Sequence, residues 1–154
     1  MSTYVERIFG STLQTTERWL IELMDELETE DPARMYRALR GVLHATRDRL
    51  PANEALHLSA QLPMLLRGLY FEGWDPKASP EKLGRIEFLD QVGDLVDPSR
   101  PEAEIEPVVR AVFRLLSRHI SAGELDEVRG ALPRSLASLW PPPREAHEPE
   151  SARH

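Results

Sequence analysis

The sequence predicts an all-α protein, a pseudo-twofold helical bundle built from two tandem repeats of about 70 residues. Apolar residues recur every three or four positions along most of the chain, which is the period of a helix with one buried face. Prolines and short polar stretches interrupt that period at intervals typical of short helices. The same order of elements then occurs twice, which predicts three to four helices in each copy.

Residues 11–28 form the first predicted helix, and its apolar side chains share one stripe: Leu13, Trp19, Leu20, Leu23, Met24 and Leu27. Asp31 and Pro32 predict the start of a second helix. Aspartate caps the free N–H groups of a first turn, where the N–H that proline lacks is not needed. This helix is expected to reach Leu50, with a buried face made of Met35, Leu39, Val42, Leu43, Thr46 and Leu50.

Two prolines open the remaining helices of the first copy. Pro51 is expected to start a third helix, and Pro63 a short fourth helix over Met64–Phe71. Gly73 then fits the position just after a helix end, where the left-handed backbone conformation favours glycine.

The first helix of the second copy is predicted to begin at the helix-start signal Ser79-Pro80, with a buried face made of Leu83, Ile86, Leu89, Val92 and Leu95 and with Phe88 beside it. The next helix runs to about His119, and Pro107 either kinks it or marks its first turn. Residues 121–124, Ser-Ala-Gly-Glu, form a capping box for another helix. A last short helix follows Pro133.

The evidence for duplication is an ungapped alignment of residues 38–70 on residues 108–140, a shift of 70. Eight of the 33 pairs are identical, whereas composition alone would give roughly two. The predicted organisation is therefore a first repeat over residues 1–75 and a second over 76–140, sharing one core. A proline-rich tail, residues 141–154, has too few apolar residues to order itself.

Charge and composition exclude several functional classes. The formal net charge is −7, and an acidic chain with interspersed arginines disfavours binding to nucleic acid. No apolar run is long enough for a membrane span. The absence of cysteine and of a signal-peptide pattern at the N-terminus fits a cytoplasmic protein.

Three segments together resemble the bacterial domain-of-unknown-function family 2267. They are Ala38 to Pro51, Gln61 to Trp74, and Ser121 to Leu125, within a resemblance that covers about residues 11–140. Membership would imply an all-helical, duplicated fold in a bacterial cytoplasmic protein. It implies no particular activity, cofactor or catalytic residue.

The candidate ligand-binding residues surround the Glu-Gly-Trp loop that follows the fourth helix. Trp74 in this loop is predicted to line a groove together with Arg40, His44, Arg67 and Tyr70. The second copy has no similar loop, so the groove would belong to one half only. The alternative is an aromatic side chain that closes the hydrophobic core, which is the commoner case.

No catalytic constellation, metal site or cofactor is predicted. His44 and Asp48 lie four residues apart on one helix, with His57 on the next, but surface polar residues explain this pattern better than metal ligation.

Two functional hypotheses remain. The first is a non-enzymatic protein-interaction or scaffold module, which binds a protein partner or associates with itself. The alternative is a small-ligand binder or enzyme that uses the groove near Trp74.

Overall fold

The computed structural model describes residues 3–99 and 104–142, and all regular secondary structure in those ranges is helical. The predicted all-α class is therefore confirmed. No helix in the described ranges is long and apolar enough to cross a membrane. The elements are α1 (Thr3–Glu26), α2 (Pro32–Arg47), α3 (Ala52–Ser59), α4 (Met64–Phe71), α5 (Arg85–Val96), α6 (Glu106–His119), α7 (Ala122–Ala131) and a 3-10 helix (Arg134–Leu139).

Several helix ends follow the local signals in the sequence. The Asp31 carboxylate accepts a hydrogen bond from the Arg34 N–H at 3.0 Å, which caps the start of α2. Pro107 lies in the first turn of α6 rather than at a kink. Gly73 follows α4 with a φ of +72°, the left-handed conformation that its position predicts. Each of these signals acts within about one turn of the helix end, so the local sequence is sufficient to predict these ends.

The start of α5 is a correction. The helix begins at Arg85, not at Ser79-Pro80, and the preceding residues run as an irregular segment. Long-range contacts hold this segment against the end of α2. The Glu81 N–H donates to the Asp48 carbonyl at 2.9 Å, and the Arg49 Nε donates to the Leu83 carbonyl at 3.2 Å.

The predicted buried face of α5 is also wrong in part. Leu83 lies before the helix, and the inward face of α5 consists of Phe88, Leu89, Val92 and Val96. The predicted core residues Leu83, Ile86 and Leu95 are instead exposed.

Helix α1 also differs from the prediction, because it begins at Thr3 and not near residue 11. The additional turns continue the apolar spacing backwards from Leu13 to Phe9 and Val5, four residues at a time. These three side chains line a cavity together with residues of α4.

The core lies around α2 and α6, which contact each other. Helix α1 packs on both of them, as does α5, while α4 packs on α2, the 3-10 helix packs on α6, and α3 contacts α7. At its centre the Phe113 ring is stacked on Trp140, with 4.0 Å between ring centroids, and lies 5.9 Å from Phe88. The predicted disordered tail lies outside the described residues, apart from Pro141 and Pro142.

Candidate functional site

The C-terminal end of α4 gathers several of the predicted site residues. His44 Nε2 lies 2.7 Å from the Leu69 carbonyl oxygen. Arg47 Nη1 donates to the carbonyls of Tyr70 at 2.8 Å and Glu72 at 2.7 Å. The last carbonyls of a helix have no partner within the helix, and buried carbonyls need one. His44 and Arg47 therefore supply the end of α4 with donors from the neighbouring helix.

Tyr70 and Arg40 complete this end of α4. Tyr70 is fully buried, and its hydroxyl donates to the Ala55 carbonyl at 2.7 Å. Burial raises the pKa of Tyr70, so the phenol stays protonated. Arg40 is half-buried and pairs with Glu72 at 3.6 Å. The aromatic ring predicted for ligand contact is thus inside the core.

Arg67 lies at a different place. Its guanidinium donates to the carbonyls of Ser59 at 2.9 Å and Leu62 at 3.0 Å, just after α3 ends. The structure therefore brings Arg40, His44 and Tyr70 together at one end of α4, while Arg67 holds the loop between α3 and α4. Since guanidinium is a planar fork of donors, arginine suits these carbonyl contacts better than lysine.

Trp74 lies at the edge of a small polar cavity of 210 Å³ lined also by Arg47, Asp48 and Glu81. Its ring centroid is 5.4 Å from that of Phe71, and the side chain is partly buried against the core. Arg40, His44, Arg67 and Tyr70 do not line this cavity. The five residues therefore do not converge on one cavity, and their role as ligand contacts stays a prediction.

The contact of His44 predicts a pH dependence of stability. Burial lowers the pKa of His44, aided by the positive charges of Arg47 and Arg40 and opposed by the hydrogen bond to Leu69. As the pH falls below about 6.5, His44 is therefore protonated in the unfolded chain before it is protonated in the folded protein. The stability that neutral His44 provides is complete above that value and is lost below it.

We expect wild-type protein to lose more unfolding free energy between pH 7.5 and 5.5 than the His44→Gln variant. Urea denaturation at both pH values measures this difference. Glutamine is a suitable replacement because its amide can still donate to the Leu69 carbonyl but does not titrate. Equal losses in the two proteins would contradict the assigned role of His44.

A second candidate site is an apolar surface between α1 and α4, here named the α1–α4 face. It consists of two neighbouring cavities of 450 and 320 Å³, both lined by Leu65 and Gly68. Apolar side chains provide most of the lining: Val5, Phe9, Leu13, Leu20, Tyr36, Leu39, Met64, Leu65, Leu66 and Leu69.

Apolar side chains also project from the rim of this face. Tyr4 and Ile8 on α1 are 71% and 69% exposed, and Met64 on α4 is 63% exposed. At 100° per residue, Tyr4 and Ile8 lie on the arc of α1 beside Val5 and Phe9. The face thus combines a groove with an adjoining apolar ridge.

The α1–α4 face is absent from the predicted site because the first turns of α1 lie outside the predicted helix. The signal that would have revealed it is the spacing of Val5, Phe9 and Leu13, four residues apart, next to a proline-started helix rich in leucine. One polar contact fixes the two helices together. The Leu65 N–H, in the first turn of α4, donates to Thr12 Oγ1 at 3.2 Å.

A third site lies where α3 meets α7. Glu54 and His57 are three residues apart on α3, and Glu127 faces them from α7. One ligand atom from each of these three residues lies within 4.8 Å of the other two. The His57 Nδ1 is 3.8 Å from Glu54 Oε2.

Glu124, one turn before Glu127, adds another carboxyl group to this cluster. Burial raises the pKa of Glu124 to about 7, together with the neighbouring carboxyl groups of Glu54 and Glu127. Glu54 Oε1 and Glu124 Oε1 are both shielded from solvent and accept no hydrogen bond in the part of the chain that the structure describes. Within that part, no arginine or lysine forms an ion pair with any of the three glutamates.

His44, Asp48 and His57 are predicted to be surface polar residues rather than metal ligands. The structure separates the three, and the prediction is wrong for His44, which is buried. His44 faces the end of α4, and Asp48 binds the guanidinium of Arg47 at 2.9 Å. The signal for the actual grouping is the spacing of Glu54 and His57, combined with the alignment that places Glu54 on Glu124. Side chains three residues apart on a helix share one face.

The fold and these sites describe an all-helical protein in which buried His44 and Arg47 bind the end of α4 and the surface carries an apolar groove. A family model described as "Uncharacterized conserved protein (DUF2267)" matches residues 16–139. The chain belongs to this family, which confirms the resemblance found in the sequence. No curated protein matches the chain.

Proposed function

We propose that the protein is a non-enzymatic interaction module that associates with a second copy of itself through the α1–α4 face. The observation that carries the proposal is the exposure of a continuous apolar groove and ridge on two short helical segments. Contiguous exposed apolar patches of this kind commonly mark the sites where proteins associate.

The composition of the groove favours a protein surface over a polar small molecule. Its two cavities are lined mostly by leucine, phenylalanine, tyrosine, methionine and valine side chains, with Thr12, Thr16 and a single charged residue, Glu72, among the described residues of the lining. Interface cores are enriched in aromatic residues and methionine and depleted in charge. Phe9 and Tyr36, 43% and 45% exposed, are therefore the expected anchors.

A second copy is the favoured occupant because the face carries two complementary shapes. Residues 3–14 form a ridge about 18 Å long, and the groove runs beside it. A twofold axis would place the ridge of each copy in the groove of the other, which is the self-complementarity that a symmetric dimer requires. The N-terminal turns of α1 would then gain contacts on a side that α4 leaves open.

The proposal includes the two-repeat organisation, with residues 1–75 and 76–140 sharing one core. The helix order supports it, because α2, α3 and α4 match α6, α7 and the 3-10 helix when shifted by 70 residues. Buried and exposed positions also coincide along most of the aligned stretch. A pseudo-twofold relation would exchange α1 with α5 and α2 with α6, and the contacts of α1 with α6 and of α5 with α2 fit that exchange.

The proposed interface also accounts for the extra length of α1. Helix α5 has 12 residues and α1 has 24, so the first half of α1 has no counterpart in the second repeat. The proposed interface is made from the part of the first repeat that the second lacks.

The absence of cysteine fits a protein of a reducing compartment, and we propose a cytoplasmic role.

The test is sedimentation velocity of the full chain over about 1–200 μM. Wild-type protein is expected to shift from monomer to dimer. The Ile8→Glu/Phe9→Glu variant is expected to weaken dimerisation about a hundredfold or more, since each buried apolar side chain contributes about 1.5–3 kcal/mol. The matched control is Ile86→Glu on α5, where an isoleucine of similar exposure lies outside the α1–α4 face.

Two results would refute self-association through this face. One is a wild-type chain that stays monomeric over the whole range. The other is a dimer that survives the Ile8→Glu/Phe9→Glu change but dissociates with Ile86→Glu. Circular dichroism of each variant establishes that the helices remain folded.

The alternative function, a small-ligand site beside Trp74, has less support. Its cavity of 210 Å³ is below the roughly 300–1,000 Å³ of common ligand sites. The cations nearest to it already bind backbone carbonyls or carboxylates.

A further inference from the structure

We propose that Glu54, His57 and Glu127 bind a divalent transition-metal ion of the zinc type at the contact between α3 and α7. This site is separate from the α1–α4 face and does not depend on self-association. It rests on the grouping of one imidazole and two carboxylates from two packed helices.

Geometry is the first argument. The three ligand atoms lie within 4.8 Å of one another, whereas ligands around a tetrahedral zinc ion are about 3.3 Å apart, given bond lengths of about 2.0–2.2 Å. The remaining movement is small for exposed side chains. The His57 side chain is 61% exposed, and the Glu54 side chain is 13% exposed.

Charge is the second argument. Glu54, Glu124 and Glu127 face one another, and among the described ion pairs His57 is the one nitrogen-bearing side chain beside them. Like charges at a helix contact are costly unless a proton or a metal ion offsets them. One oxygen each of Glu54 and Glu124 is shielded from solvent and has no hydrogen-bond partner in the described ranges.

Ligand chemistry selects the class of metal. Magnesium and calcium prefer oxygen ligands throughout, whereas imidazole combined with carboxylate suits zinc and its neighbours in the first transition series. Three protein ligands leave at least one position for water. Glu124 does not need to bind the ion directly, because its carboxyl group lies beside Glu54 and can hold it by a hydrogen bond.

The test is isothermal titration of the full chain with zinc chloride at pH 7.5 after treatment with a chelator. We expect one zinc ion per chain, and His57→Ala and Glu127→Gln should each weaken binding at least tenfold. Both residues are exposed, so the variants should fold. Magnesium chloride at the same concentration should produce no binding.

The matched control is His119→Ala. His119 Nε2 lies 2.6 Å from Glu22 Oε2 between α6 and α1, and no third ligand groups with this pair among the described residues. The His119→Ala change should leave the zinc affinity unchanged. A His147→Ala/His154→Ala variant covers the two histidines outside the described residues.

Three results would overturn the proposal. They are the absence of zinc binding by the wild-type chain, full zinc affinity in His57→Ala, and loss of zinc binding in the His119 or His147/His154 variant. Loss in His57→Ala and Glu127→Gln alone, with circular dichroism unchanged, would establish the site.

Discussion

Replacing Phe113 by alanine is expected to lower the free energy of unfolding by about 3–5 kcal/mol. Phe113 is fully buried and lies between Trp140, stacked at 4.0 Å, and Phe88 at 5.9 Å. The change would leave a cavity and would also remove an aromatic pair worth about 0.5–1.5 kcal/mol. Urea denaturation followed by circular dichroism measures the loss.

The control for this prediction is Leu56→Ala. Leu56 is half exposed on α3, so its truncation should cost less than about 1 kcal/mol. A loss below 2 kcal/mol in Phe113→Ala would mean that the contact between α6 and the 3-10 helix is not part of the cooperative core.

Replacing Arg47 by methionine is expected to cost about 2–3 kcal/mol. Methionine keeps the apolar stem but removes the donor to the carbonyls of Tyr70 and Glu72, at 2.8 and 2.7 Å. The Arg47 side chain is only 5% exposed, so water cannot easily replace it. The same denaturation experiment measures the effect.

Arg40→Met is the matched control, from the same helix and the same end of α4. Arg40 pairs with Glu72 at 3.6 Å through a side chain that is 34% exposed, and such pairs contribute less than about 1 kcal/mol. If the two variants lose equal stability, Arg47 does not cap α4 in the way described.

The parts of the fold that could be predicted are those with local causes. Proline and glycine place α4 at Met64–Phe71, and an aspartate cap starts α2, because each acts within a turn of its own position. The start of α5 could not be predicted in this way. It depends on Arg49, a buried side chain from 34 residues before Leu83, and no local pattern encodes that contact.

The site was harder to predict for a related reason. The sequence places Arg40 and His44 on one side of α2, but it cannot show that Arg40 pairs with Glu72 or that His44 faces a backbone carbonyl, a group that no side-chain pattern records. A basic residue beside an aromatic loop therefore resembles a ligand site in the sequence. In the structure His44 and Arg47 stabilise a helix end.

The proposed association is tested most directly by hydrogen–deuterium exchange of the full chain. Exchange is measured at protein concentrations below and above the one at which half of the chains are dimeric. We predict slower exchange at high concentration in peptides covering residues 3–14 and 64–69, and unchanged exchange in residues 85–96. Exchange that is independent of concentration in residues 3–14, or protection confined to α5, would contradict association through the α1–α4 face.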